Sequence, residues 1–121
     1  MSQRILVVED EMIIASMIEE MLIDLGHEVA GLAMGLPQAL EMAKDQRIDL
    51  ALLDVHLEGG ASYPIADLLE SRGVPVIFAS GSGGLGLEAA YRDRVTLTKP
   101  FFLKDLEDAI EQALLQGEAA H

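Results

Sequence analysis

Several short apolar runs end in polar residues, and this pattern restricts the possible folds more than any other feature of the chain. The clearest runs are Ile5–Val8, Leu50–Leu53, Val76–Ala79 and Val95–Thr98. Such runs are typical of strands that are buried on both faces of a parallel sheet. The residues that follow them are Glu9, Asp10, Asp54, Ser80 and Lys99. Because ligands bind just beyond the carboxyl ends of the strands in these sheets, we expect the five side chains to converge on one site.

Segments with helical spacing separate the strands. A further strand is expected over His27–Ala33, and apolar residues recur at helical spacing in Ile14–Leu25, Leu36–Ala43, Ile65–Leu69 and Leu103–Leu114. Strict alternation of strands and helices indicates βαβ units. The chain is therefore predicted to be one α/β domain over residues 1–121, with a doubly wound, five-stranded parallel sheet of order 2-1-3-4-5, the flavodoxin-like arrangement. We expect its end, Gly117–His121, to fray.

The segment Gly81–Gly86 carries four glycines and does not favour an α-helix. We expect only a short fourth helix, over Leu87–Tyr91. The segment also has the G-x-G-x-x-G spacing of dinucleotide-binding loops. That loop normally opens the first βαβ unit and is followed by an acidic residue near the end of the next strand. Here it follows the fourth strand, and the next strand ends at Lys99, so nucleotide binding is disfavoured.

Composition excludes several classes of function. Half of the residues are apolar, and the net charge is −13. The absence of cysteine excludes a disulfide scaffold, a thiolate metal site and a cysteine nucleophile. Lysines and arginines are few and scattered, which disfavours direct contact with nucleic acid. No apolar stretch approaches the length of a membrane span and no signal peptide precedes the first strand, so we expect a cytoplasmic protein without a membrane partner.

The chemistry of the five side chains favours a cation and a phosphoryl group. Three carboxylates at ~5 Å repel one another by roughly 3 kcal/mol per pair at an effective dielectric constant of about 20. A proton or a cation must relieve this repulsion. Oxygen ligands without imidazole or thiolate select Mg²⁺. A carboxylate can attack phosphorus to form an aspartyl phosphate, while a lysine and a hydroxyl bind other phosphoryl oxygens.

The residues around these strand ends resemble a known family. The pieces are Val7-Val8-Glu9-Asp10-Glu11, Leu53-Asp54-Val55, Ala79-Ser80-Gly81 and Thr98-Lys99-Pro100-Phe101. In this order and at these strand ends they resemble the receiver domain of bacterial two-component response regulators. The resemblance covers the chain from about Arg4 to Leu115.

The resemblance implies a role for each acid. Asp54 would accept a phosphoryl group from a histidine kinase or a histidine phosphotransfer protein. Asp10 and Asp54 would bind Mg²⁺ directly, Glu9 would bind it through water, and the backbone carbonyl of His56 would complete the protein ligands. A domain of this kind is not an enzyme acting on other substrates, since it catalyses only its own phosphorylation and dephosphorylation. It would signal through a downstream protein target.

The resemblance also implies roles for the residues on the other side of the site. Ser80 would move toward the phosphate and Lys99 would contact it, with a cis Lys99–Pro100 peptide bond. Many receivers carry a tyrosine or phenylalanine three residues before the lysine, whereas this chain has Thr96, so a relay from Ser80 to an aromatic ring is in doubt. The run Phe78–Gly81 is similar to a receiver branch whose fourth strand ends Phe-Ala-Thr-Gly and which often lacks that aromatic switch.

Two other classes of function remain open at this point. One is a Mg²⁺-dependent phosphatase with an aspartyl nucleophile. Such enzymes usually need a second acid two residues beyond the nucleophile, where this chain has His56, and no cap domain is present to close the site. The other is a pseudo-receiver that only binds partner proteins. Its mark would be the loss of an acid or of the lysine, and the chain retains both.

Overall fold

A five-stranded parallel sheet forms the centre of the molecule, for which a computed structural model describes residues 2–57 and 59–119. Its strands are β1 (Arg4–Val8), β2 (Glu28–Ala33), β3 (Leu50–Asp54), β6 (Val76–Ser80) and β7 (Val95–Thr98). They lie in the order β2-β1-β3-β6-β7, which is the predicted order 2-1-3-4-5. A short antiparallel ladder after β3 pairs β4 (His56–Leu57) with β5 (Gly60–Ala61).

Helices cover both faces of the sheet. They are α1 (Met12–Asp24), α2 (Leu36–Asp45), α3 (Tyr63–Ser71) and α4 (Leu103–Ala119). Alternate residues of each strand point to opposite faces. Leu6, Leu53 and Phe78 therefore pack in the core under α2 and α3. Leu52 and Ile77 pack in a second core under α1 and α4. Burial on both sides explains why the strands read as unbroken apolar runs. None of the described helices combines the length and apolarity needed to cross a bilayer.

The connection between β6 and β7 differs from the expected short helix over Leu87–Tyr91. In the described part of this connection, two 3₁₀ turns occur instead, at Gly83–Gly86 and Ala89–Tyr91. Leu87 and Glu88 have extended backbone conformations and separate the two turns. Glycines in the first turn weaken helical propagation, and the extended pair interrupts it, so one continuous helix does not form.

Two predicted boundaries also need correction. β2 begins at Glu28 rather than His27. α4 continues to Ala119, so the residues 117–119 are helical rather than frayed, and the residues 120–121 lie outside the described part of the chain. Gly117 packs closely on Pro75, since a Cβ atom at this glycine would lie 3.2 Å from the proline Cγ. This contact holds the last turns of α4 against the loop that precedes β6.

Candidate functional site

The predicted site residues lie at one edge of the sheet because neighbouring parallel strands end together there. Backbone hydrogen bonds extend the pairing beyond the strands themselves. The amide of Glu9 donates to Ala33 at 3.0 Å, and the amide of Lys99 donates to Ser80 at 2.9 Å. Asp54 is the last residue of β3, next to the end of β1. The sheet thus fixes the backbone of each functional residue before its side chain makes any contact.

Glu9, Asp10 and Asp54 form the acidic cluster that the sequence predicts. Each offers a carboxylate oxygen within 4.8 Å of the other two. Glu9 is buried, the side chain of Asp54 is 14% exposed, and Asp10 is exposed. Glu9 also accepts a hydrogen bond from the amide of Asp10 at 3.1 Å. The cluster is therefore closed on the protein side and open to water on the side of Asp10.

Lys99 joins this cluster from the edge of the sheet. Its Nζ atom lies 2.9 Å from Glu9 Oε1 and 3.2 Å from Asp54 Oδ2. The lysine side chain is 22% exposed, so these ion pairs are partly shielded from solvent. With all four groups ionised, one ammonium against three carboxylates leaves the site with an excess of negative charge. The peptide bond between Lys99 and Pro100 is cis, as the family resemblance implies.

The shifted pKa values show the electrostatic conflict in this arrangement. The pKa of Glu9 is raised to about 7, first by burial and then by a hydrogen bond to Asp54, although Lys99 acts in the opposite direction. Burial alone lowers the pKa of Lys99, but the hydrogen bond to Glu9 and the charge of Asp54 reverse this and leave it above its ordinary value. The site therefore favours the addition of positive charge, whether a proton or a cation.

The donor set fits Mg²⁺. Clustered carboxylate oxygens with one side open to solvent suit this ion, because it retains several of its own waters in proteins. His56 follows the site in β4, and its side chain is exposed and contributes no atom to the described carboxylate cluster. The participation of its backbone carbonyl stays a prediction.

Ser80 is held by the segment that follows it. Its side chain is buried, and its Oγ accepts a hydrogen bond from the amide of Ser82 at 3.1 Å. Thr96, at the position where many receivers carry an aromatic ring, donates from its hydroxyl to the carbonyl of Arg94 at 3.1 Å. The threonine hydroxyl is therefore engaged by the residue just before its own strand, and the absence of a relay from Ser80 to this position stays a prediction.

An aromatic cluster beside the site was missed by the sequence reasoning. Tyr63 and Tyr91 stack with ring centroids 4.2 Å apart, and Phe78 contacts both rings edge-on. The Tyr63 hydroxyl accepts from the amide of Glu88 at 2.8 Å, and the Tyr91 hydroxyl donates to Asp67 at 2.9 Å. The cluster ties the connection between β6 and β7 to α3. The one available signal was that these are the two tyrosines of the chain.

Comparison with known proteins assigns the chain to one class. Residues 5–111 match the sequence model of the response regulator receiver domain. The chain belongs to this family, and it is a receiver domain of two-component signalling.

Particular relatives support this assignment. SdrG from Sphingomonas melonis Fr1 has 39% sequence identity and a TM-score of 0.83, with 94% of this chain and 97% of its own chain covered. The response regulator PhyR from Brucella abortus has 31% identity and a TM-score of 0.85, with 99% of this chain and 51% of its own chain covered. The phyllosphere-induced regulator PhyR of Methylorubrum extorquens is 34% identical over 99% of this chain. This chain spans 46% of the length of that curated relative.

Proposed function

We propose that this receiver domain is phosphorylated on Asp54 in a Mg²⁺-dependent reaction and acts as a signalling switch through a downstream protein target. The donor would be a histidine kinase or a histidine phosphotransfer protein. One observation carries the proposal: the Asp54 carboxylate, at the end of β3, shares a site with two further acids and lies 3.2 Å from the Lys99 ammonium. This is the set of groups that phosphoryl transfer to a carboxylate requires.

The proposed transfer needs no redox partner. A carboxylate oxygen of Asp54 attacks the phosphorus of a phosphohistidine, a P–O bond forms as the P–N bond breaks, and the electron pair of that bond goes to the imidazole nitrogen. Lys99 exchanges its contact with Asp54 for a phosphoryl oxygen, and Ser80 donates its hydroxyl proton in a hydrogen bond to another. These contacts hold the group in line and balance its charge.

The acidic cluster would hold the metal. Asp10 and Asp54 would bind Mg²⁺ directly, Glu9 would bind it through water, and the carbonyl of His56 would be a further ligand. When bound, the cation neutralises charge on the transferring group. The burial of Glu9 fits an indirect role, because its oxygens are already engaged by Lys99 and by the amide of Asp10.

The setting of the domain is part of the same proposal. The scattered basic residues and the net charge of −13 support protein partners rather than direct contact with nucleic acid or a membrane surface. A cytoplasmic location follows from a cytoplasmic phosphodonor. Because the chain spans about half of the PhyR length, the activities of the remaining parts of such relatives are not transferred to it.

Intact mass spectrometry tests this function. Incubation with acetyl phosphate or phosphoramidate and Mg²⁺ should add one labile phosphoryl group. Asp54→Asn should abolish the addition, whereas Asp45→Asn, at the exposed end of α2, should leave it unchanged. Removal of Mg²⁺ with a chelator should also prevent labelling. Full labelling of the Asp54→Asn variant would overturn the assignment of the acceptor, and no labelling of the unaltered protein would overturn the proposed function.

A further inference from the structure

The 3₁₀ turn at Gly83–Gly86 lies against the ends of two strands, and a glycine stands at two of the points of contact. A Cβ atom at Gly86 would lie 2.2 Å from Ser80 Oγ and 3.3 Å from Ser80 Cβ. A Cβ atom at Gly83 would lie 2.7 Å from Thr98 Oγ1. By contrast, a Cβ atom at Gly84, in the same turn, would have no such neighbour within 4 Å. The turn can approach β6 and β7 this closely only where side chains are missing.

Glycine is required at position 86 because there is no room for a side chain, and not because of the backbone conformation. Gly83 has a φ angle of +58°, which disfavours other residues by itself, whereas Gly86 is not among the described glycines with positive φ. At 2.2 Å, an added methyl group would overlap the Ser80 oxygen. Any larger residue at position 86 must therefore displace either the turn or the Ser80 hydroxyl.

The Ser80 hydroxyl is thus held by the segment at two points. Its oxygen accepts the hydrogen bond from the amide of Ser82 and lies against the backbone of Gly86. Beyond Gly86 the chain continues into the buried Leu87 and then Glu88, whose amide donates to the Tyr63 hydroxyl. The hydroxyl is therefore in contact with a chain segment that reaches the tyrosine stack on α3, so a movement of the hydroxyl affects that segment directly.

We propose that Gly86 is a positioning residue whose missing side chain couples the location of the Ser80 hydroxyl to the location of the segment between β6 and β7. This inference rests on the proposed phosphorylation of Asp54. When the hydroxyl moves to a phosphoryl oxygen, it withdraws from Ser82 and opens space beside Gly86. The resting position of the turn then loses both of its contacts with this side chain, and the segment is released to a new position.

The test compares Gly86→Ala with Gly84→Ala, which is the same change in the same turn without the contact. Melting temperature is measured for the unmodified protein and for the protein with Mg²⁺ and beryllofluoride, a mimic of the phosphoryl group. Gly86→Ala should lower the melting temperature of the unmodified protein by several degrees. It should lower that of the beryllofluoride form much less, because the hydroxyl has left. Gly84→Ala should change both forms equally.

A rescue variant separates this coupling from a general packing defect. Ser80→Ala removes the oxygen that an alanine at position 86 would overlap, so Ser80→Ala/Gly86→Ala should melt close to Ser80→Ala alone. If the cost of Gly86→Ala persists in the Ser80→Ala background, or if Gly86→Ala fails to fold and the double variant fails too, the contact with the hydroxyl is not what matters and the proposal is wrong.

The outcome also distinguishes this proposal from the proposed function. Phosphorylation of the unaltered protein by acetyl phosphate is measured on the same preparations by intact mass. If the unaltered protein takes up the phosphoryl group but Gly86→Ala and Gly84→Ala respond alike to beryllofluoride, only the role of Gly86 is overturned. If the unaltered protein takes up none, both proposals fall together.

Discussion

The ammonium nitrogen of Lys99 lies 2.9 Å from an oxygen of Glu9, although Glu9 follows β1, Lys99 follows β7, and two strands of the sheet lie between β1 and β7. The lysine reaches Glu9 by extending across the ends of β6 and β3, and on the way it also contacts Asp54. One cation from the edge of the sheet is therefore the counter-ion of two acids at its centre.

Lys99→Met should destabilise the protein in metal-free buffer. Without the ammonium, Glu9 and Asp54 lose their shared counter-ion in a partly buried site, and we expect a loss of about 1–3 kcal/mol in the free energy of unfolding. Lys104→Met provides the control, because Lys104 pairs with Asp108 on an exposed helix surface, where solvent screens the ion pair and its removal should cost much less. Urea unfolding measures both. Equal losses would show that the contacts of Lys99 do not stabilise the fold.

Mg²⁺ should stabilise the domain by binding the folded acidic cluster. At 100 times its Kd, a ligand specific for the folded state adds about 2.7 kcal/mol, which raises the melting temperature by several degrees in a domain of this size. Asp10→Asn should melt higher than the unaltered protein without Mg²⁺, because it removes carboxylate repulsion, and should lose most of the response to the ion. Asp45→Asn should retain that response. Melting curves that do not change in millimolar Mg²⁺ would contradict the metal site.

Tyr63→Phe should loosen the connection between β6 and β7 without disrupting the aromatic stack. The substitution removes the acceptor for the amide of Glu88 and should cost about 0.5–1.5 kcal/mol. In hydrogen exchange, the amide of Glu88 should become less protected. Tyr91→Phe is a matched control, because it removes the bond to Asp67 and leaves the acceptor of Glu88 in place. Unchanged exchange at Glu88 in Tyr63→Phe would show that this bond does not hold the segment.

The free energy of unfolding should depend on pH through His27, which is not part of the acidic cluster. Its Nδ1 accepts from the amide of Gln3 at 3.1 Å, and burial lowers the pKa of His27 below its ordinary value of 6.5. Because the folded pKa is depressed, this contribution to stability is present above pH 6.5 and is lost as the pH falls through the folded pKa. The unaltered protein should therefore lose its stability advantage over the His27→Gln variant as the pH falls. Parallel stability curves for the two proteins would contradict this.

The sequence predicted those features that depend on strand periodicity. Unbroken apolar runs indicate strands that are buried on both faces, and parallel strands end at the same edge of a sheet. The residues that follow these runs were therefore expected to lie close together, and the side chains of Glu9, Asp10, Asp54 and Lys99 do. The sheet order followed from the alternation of strands and helices. The residue-level roles in phosphorylation are not tested by the fold and stay predictions.

Other features depend on tertiary contacts that leave no local pattern. The stack of Tyr63 on Tyr91 joins residues from different elements, and no spacing in the sequence links them. The approach of Gly86 to Ser80 depends on the path of the turn, whereas the glycine-rich composition indicated only that a helix was disfavoured. α4 extends to Ala119, and Gly117 in its last turns lies close to Pro75, a contact that composition at the chain end does not show.

The tyrosine stack also gives the domain a built-in optical probe. The chain has no tryptophan and two tyrosines, and these are the two rings that lie 4.2 Å apart. Since phenylalanine emits only weakly, nearly all of the intrinsic fluorescence arises at one contact between α3 and the segment after β6. Separation of the rings would change this emission without any added dye. The movement of that single contact can therefore be followed in real time during phosphorylation, with the unaltered protein in the cuvette.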